Sequence, residues 1–266
     1  MKYTLYLSLI LFLLAAASQA GEERNISFRT LCLEQVGGID KVLLPNAGGG
    51  KNADIPLYTD VSPVVKGVFK TNEAAFYIEK AGPDGKPILE LVGKTTMGKS
   101  DRQLFVFLPG GKGEGKPVYQ VRSFDDDTRA FGMGNIRAIN LAPVPVRFVL
   151  SGSTTPEIPP GRYAQFPHSK RVNDYNMYPV VVEFLSASGE WVKGQSVSWK
   201  ATTRRREIVL TLVDARFKQP TVRMYTDFPP WMENTPGSVQ PYGGEGSHDA
   251  LHFLQSRALP HATSCH

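Results

Sequence analysis

The sequence predicts an all-β protein: one or two antiparallel β-sandwich domains of Ig-like character, followed by a disordered C-terminal tail. Short β-branched or aromatic runs, many of them alternating apolar with polar, recur along the chain. Gly and Pro interrupt them about every ten residues, the rhythm of a sandwich or barrel. No segment carries the 3.6-residue apolar period of a long amphipathic helix.

Taken in order, residues 1–20 read as a signal peptide. Lys2 supplies a positive start, Leu5 to Ala17 is almost wholly apolar, and Ser18 and Ala20 are small enough for signal-peptidase cleavage near Ala20. The apolar run is about thirteen residues, short of the roughly 20 that a membrane-spanning helix needs. The expectation is therefore an exported protein, in the periplasm, at the cell surface or secreted, with no transmembrane segment in the mature chain.

A first β-rich region is expected over 21–128. Ser27 to Leu33 alternates, and Val68 to Lys70 and Ala75 to Ile78 follow. Gly82-Pro83-Asp84-Gly85 is a turn, because Pro presets φ and Asp-Gly accepts a positive φ. Ile88 to Val92, Leu104 to Leu108 and Lys116 to Phe124 are further strands, the last two joined by the glycine-rich Pro109 to Lys116. That loop lacks the spacing and the terminal Ser/Thr of a phosphate-binding loop. The acidic run Asp125-Asp126-Asp127 marks the change to a second sandwich-like region over 129–226. Its strands are Ile136 to Leu141, Val144 to Leu150, Tyr178 to Leu185, Trp191 to Trp199, Glu207 to Val213 and Thr221 to Tyr225. The remainder, 227–266, mixes Pro, Gly, Ser and His and reads as disordered.

The stretch Gly134-Asn135-Ile136-Arg137-Ala138-Ile139-Asn140-Leu141-Ala142-Pro143-Val144-Pro145-Val146, followed by Ile158-Pro159-Pro160-Gly161, resembles uncharacterised exported bacterial β-sandwich proteins with an Arg-x-x-Asn-Leu strand. The DUF4397 type of domain has a similar rhythm. Phe28 to Leu31 and the acidic run fit the same group. The likeness covers the middle third of the chain. It implies an exported all-β protein and assigns no activity and no catalytic residues.

Composition narrows the function. The chain carries Cys32 and Cys265 only, so it is not a disulfide-dense scaffold. The two could bridge in an oxidising compartment; a buried Cys32 with an unpaired Cys265 is the favoured alternative. A formal charge of +5 biases the surface weakly towards anionic partners. Asp125 to Asp127 lacks the spaced oxygens of a calcium loop and is expected to be a solvated linker. His248 and His252 could share a helical face, yet no His-Glu-x-x-His is present, so no metal or cofactor is expected. No Gly-x-Ser-x-Gly elbow occurs.

Aromatic and basic residues are interleaved in the second region, and rings stack on sugars while guanidinium groups pair with carboxylate or phosphate. The candidate ligand-binding set is Arg162, Tyr163, Lys170 and Arg171 with Tyr175, and Arg204, Arg205 and Arg206 at the tip of an expected hairpin. The function expected is a non-enzymatic binding or structural protein of the cell envelope or exterior. Its partner would be an anionic envelope polymer, a glycan or a protein, not nucleic acid. The alternative is a secreted hydrolase of envelope or environmental polymers, recognisable by a cleft holding two carboxylates about 5–10 Å apart.

Overall fold

The computed structural model describes residues 23–47, 49–111, 115–213 and 219–232. Sixteen strands occur among them. Eight belong to a first half: β1 (Arg24–Cys32), β2 (Lys41–Leu44), β3 (Ala53–Pro56), β4 (Val65–Phe69), β5 (Glu73–Ala81), β6 (Pro87–Thr96), β7 (Arg102–Pro109) and β8 (Tyr119–Asp125). Eight more follow: β9 (Asn135–Asn140), β10 (Val146–Leu150), β11 (Ser153–Thr154), β12 (Tyr163–Pro167), β13 (Met177–Leu185), β14 (Trp191–Lys200), β15 (Arg206–Val213) and β16 (Pro220–Asp227). The protein is all-β, and no helix among the described residues is long and apolar enough to cross a membrane.

The strands form four sheets of four. Sheet A has the order β4-β1-β7-β8 and sheet B the order β3-β2-β5-β6; sheet C runs β12-β9-β15-β16 and sheet D β11-β10-β13-β14. Sheets C and D thus repeat sheets A and B with every strand number raised by eight. The repetition extends to detail. Each half contains one parallel pair, β1 with β7 and β9 with β15, in an otherwise antiparallel arrangement. Each also carries a bulge in the corresponding hairpin, between Phe76 and Tyr77 of β5 and between Val182 and Glu183 of β13.

Three apolar clusters stack the sheets in the order B, A, C, D. Phe28, Phe105 and Phe107 of sheet A meet Val42, Ile55 and Phe76 of sheet B. Ile136 and Val209 of sheet C meet Phe148, Val180 and Val182 of sheet D. Leu31, Leu104 and Val106 of sheet A meet Ile139, Ile208 and Leu210 of sheet C. The two middle sheets are covered on both faces, which is why Leu104 to Leu108 and Ile208 to Leu210 are apolar at every position. Aligning the two parallel pairs matches Leu31 with Ile139, Leu104 with Ile208 and Val106 with Leu210. The halves therefore meet through equivalent faces, as the two copies in a symmetric dimer do. At about 1.5–3 kcal/mol per fully buried large apolar side chain, this seam holds the two halves as one body.

Two local expectations are corrected. Residues 201–205 do not cap a hairpin: they cross from β14 in sheet D to β15 in sheet C. Asp126 is not in a solvated linker but fully buried between the halves. After Phe228 the described chain adds a single 3-10 turn, Pro230–Met232. The expected signal peptide over 1–20, the histidines from His248 onward and Cys265 lie outside the described residues. Cys32 is buried, its Sγ 3.2 Å from the Glu34 carbonyl oxygen.

Candidate functional site

Among the described residues, charged side chains are buried at two places. The first is the seam between sheets A and C. β1 turns Arg29 towards sheet C, and its guanidinium donates to both Asp126, at 2.7 and 3.0 Å, and Asp227, at 2.5 and 2.9 Å. Arg206, at the start of β15, grips the same two carboxylates at 2.5 Å each and donates to the Phe131 carbonyl at 2.9 Å. Burial by itself would raise the Asp227 carboxyl. The bonds and charges of Arg29 and Arg206 outweigh it and hold the group below the usual carboxylate range. Registers show why the arrangement closes on itself. Asp126 donates its N–H to the Arg102 carbonyl just past β8, and Asp227 pairs with Arg206 at the same point of the second half. Asp126 and Asp227 are equivalent positions, as are Arg29 and Arg137.

Arg137 departs from that equivalence. Its guanidinium stacks over Phe131 at 4.4 Å and Tyr163 at 5.2 Å, and Nη1 donates to the Asp125 carbonyl at 2.9 Å. Burial pulls it down to about 10, against the raising influence of Asp126. Phe131 is clasped from its other contact by Arg206, at 4.5 Å. This lattice fastens the halves together. Its carboxylates are sealed from solvent and spanned by guanidinium groups, so they present no face to a substrate.

The second place is one end of the C/D sandwich. His168 Nδ1 lies 2.8 Å from the Tyr178 hydroxyl, and Tyr178 packs edge-on against Trp199. Glu207 points into the same sandwich from β15 and accepts from Arg205 Nη2 at 3.0 Å and Nε at 3.1 Å. Its other oxygen, Oε2, and His168 Nε2 are both buried without a hydrogen-bond partner among the described residues. Burial pushes Glu207 up, partly offset by Arg205; burial and the Arg205 charge pull His168 down; burial and then Glu207 push Tyr178 up. The first half closes the same end with a neutral group. Gln103 occupies the position of Glu207 and is bonded to Gly98, Ser100, Ser123 and Asp125.

The residues singled out from sequence divide into three groups. Arg162 immediately precedes edge strand β12 and Tyr163 begins it, where the half-exposed Tyr163 ring meets Phe124 of β8 edge-on at 5.4 Å. Lys170, Arg171 and Tyr175 lie in the 168–176 segment between β12 and β13, and Tyr175 is 78% exposed. Arg204 and Arg205 lie in the 201–205 crossover. The last two groups come together. The Gly134 carbonyl accepts from the His168 N–H, the Gly134 N–H donates to the Arg205 carbonyl, and the Ala201 N–H donates to the Asn176 carbonyl. Arg206 parts from its neighbours because it is wholly buried in the seam, and it leaves the solvent-facing set for that reason.

Comparison of the halves marks this end as the elaborated one. The link between β4 and β5 is residues 70–72, whereas its counterpart between β12 and β13 is 168–176. Lys170, Arg171, Lys200, Arg204 and Arg205 outnumber Asp174 there, and Ser169 and Ser151 pin the segment through hydroxyl bonds of 3.0 and 2.9 Å.

His168, Tyr178 and Glu207 were not joined by sequence reasoning. A signal did exist: Arg206-Glu207 opens a strand that is apolar on both faces, so both charges had to enter the interior.

Among the described residues no cluster of three or more His, Cys, Asp or Glu could hold a metal ion. No protein-family model matches the sequence, and the search of curated proteins finds no similar one.

Proposed function

We propose that this protein is an exported, non-enzymatic binding or structural module of the cell envelope or exterior, engaging an anionic polymer through the basic end of its second sandwich. One observation carries the reading. Where the two halves differ at this end, the second has gained a segment, 168–176, that carries exposed Lys170, Arg171 and Tyr175 and is bonded through Asn176 to the crossover bearing Arg204 and Arg205. A duplicated scaffold supplies rigidity, and the added loop supplies the specific contacts. The aromatic ring suits the face of a sugar, and the cations suit carboxylate or sulfate groups. Export is the reading of residues 1–20, and an extracellular polyanion is the partner that compartment offers.

The test uses the mature chain and the variant Lys170→Ala/Arg171→Ala/Arg204→Ala. Retention on immobilised polygalacturonate or heparin should fall in the variant and vanish with added salt, because exposed charges are screened within about 10 Å at 0.1 M. Equal retention of both proteins removes the proposal. Arg205 and Arg206 stay unchanged in this variant, since the first holds buried Glu207 and the second holds the seam.

A further inference from the structure

We propose that His168 is an acid-operated latch on the basic end: charging its imidazole releases the 168–176 segment and changes how the protein holds an anionic polymer. This inference rests on the binding role proposed above and adds its regulation.

His168 opens the elaborated segment and is its buried anchor, 8% exposed, while residues 170–176 that follow are exposed. Three elements meet His168. β13 presents the Tyr178 hydroxyl at 2.8 Å. The 201–205 crossover presents the Arg205 guanidinium, whose charge opposes a second cation. The turn before β9 meets the backbone of His168, where the Gly134 carbonyl accepts from the His168 N–H. Glu207 of β15 stands behind Arg205 and is engaged by it.

In the neutral ring, one nitrogen serves Tyr178 and the other is left without a partner. A charged ring must donate from both nitrogens. Nε2 is buried without an acceptor, so the second donor would be unsatisfied, and the new charge would stand beside Arg205 in a desolvated site. The ring can meet water only by leaving its place, and the 168–176 segment leaves with it. Away from β13 the segment is held by a few single bonds: Ala201 N–H to the Asn176 carbonyl, His168 N–H to the Gly134 carbonyl, and the Ser151 hydroxyl, which bonds Ser169 and the Arg171 carbonyl.

The direction in pH follows. Burial and Arg205 lower His168 in the closed state, so closure is fully favoured above the ordinary histidine value of about 6.5 and is lost as pH falls below it towards the depressed one. Glu207 acts in the opposite sense. Its raised value favours the closed state in acid, and that contribution is lost as pH rises through it. A Glu207→Gln variant removes the opposing effect.

Backbone amide exchange of residues 169–176, measured on the full chain between roughly pH 7.5 and pH 5 and corrected for intrinsic rates, tests the latch without any ligand. Protection should drop about tenfold in the wild type and further in Glu207→Gln. In His168→Gln, which keeps an acceptor for Tyr178 and cannot take up a proton in this range, it should stay flat. An equal drop in His168→Gln overturns the proposal. The polygalacturonate assay separates the two claims. A latch that opens in a protein with no retention at any pH refutes the binding role alone. Retention with the same pH profile in wild type and His168→Gln refutes the latch alone.

Discussion

Arg206 shows how much a single residue's role depends on what covers it. Its guanidinium holds Asp126 and Asp227 and is packed against Phe131. Replacing it with Met keeps the volume and strands two buried carboxylates on Arg29. We expect Arg206→Met to lose about 3–5 kcal/mol in urea unfolding, the usual consequence of breaking a buried ion pair from one side. A loss below about 1 kcal/mol would mean that the seam does not depend on the lattice. The same group sets an acid limit. Asp227 lies below its ordinary value in the folded state, so the stability it confers is present above about pH 4 and is lost as pH falls through the depressed value. Asp227→Asn should flatten that part of the stability profile while lowering the plateau at neutral pH.

At the scale of elements, the bulged hairpins do a specific job. Both sandwiches must bring an edge of the outer sheet close to the edge of the inner one, and both use a glycine near the bulge. A Cβ on Gly93 of β6 would lie 2.8 Å from Val121 Cγ2 and 2.9 Å from the Tyr119 carbonyl oxygen of β8. In the second half, a Cβ on Gly194 of β14 would lie 2.5 Å from the Phe184 ring and 3.2 Å from Pro220. Neither glycine has a positive φ, so the constraint is space and not backbone conformation. Gly93→Ala should therefore cost about 1–3 kcal/mol by overpacking. Thermal denaturation of the variant checks this, and an unchanged midpoint would show that β6 can move away from β8.

For the whole molecule, the shared middle of the stack decides how it unfolds. Sheets A and C each belong to two cores, and the Arg–Asp lattice is built from both halves. Residues 23–228 should therefore melt in one cooperative step, with the calorimetric and van't Hoff enthalpies equal. Val106→Asp, which places a charge in the apolar seam, should abolish that cooperativity or the fold itself, whereas two separate transitions in the wild type would show the halves to be independent.

Fold class and most strand positions were legible because alternation is a local property of the chain. Asn140, at the end of the alternating β9, fastens the turn that follows it by donating to the Val144 and Ile158 carbonyls at 2.8 Å. Strand partners were not legible. The parallel pairs β1 with β7 and β9 with β15 depend on long-range contacts, and the repeat is faint in the sequence: Phe28-Arg29-Thr30-Leu31-Cys32-Leu33 returns as Ile136-Arg137-Ala138-Ile139-Asn140-Leu141, with only Arg and the last Leu kept. Of the candidate site, exposed Lys170, Arg171, Tyr175 and Arg204, with half-buried Arg205, stood out as a basic–aromatic set. Their convergence on one end is a product of the Gly134 and Asn176 backbone bonds.

Sequence by itself determined that this chain is a β protein with a scattered excess of cations, because composition and a two-residue period need no partner to be read. Tertiary structure alone decided that Arg206 is interior while Arg204 is not, that Asp126 meets Asp227 through two arginines, and that His168 touches Tyr178. The physical reason is the same in each case. A strand's second face is polar or buried according to whether another sheet covers it, and that covering sheet is built from residues up to two hundred positions away.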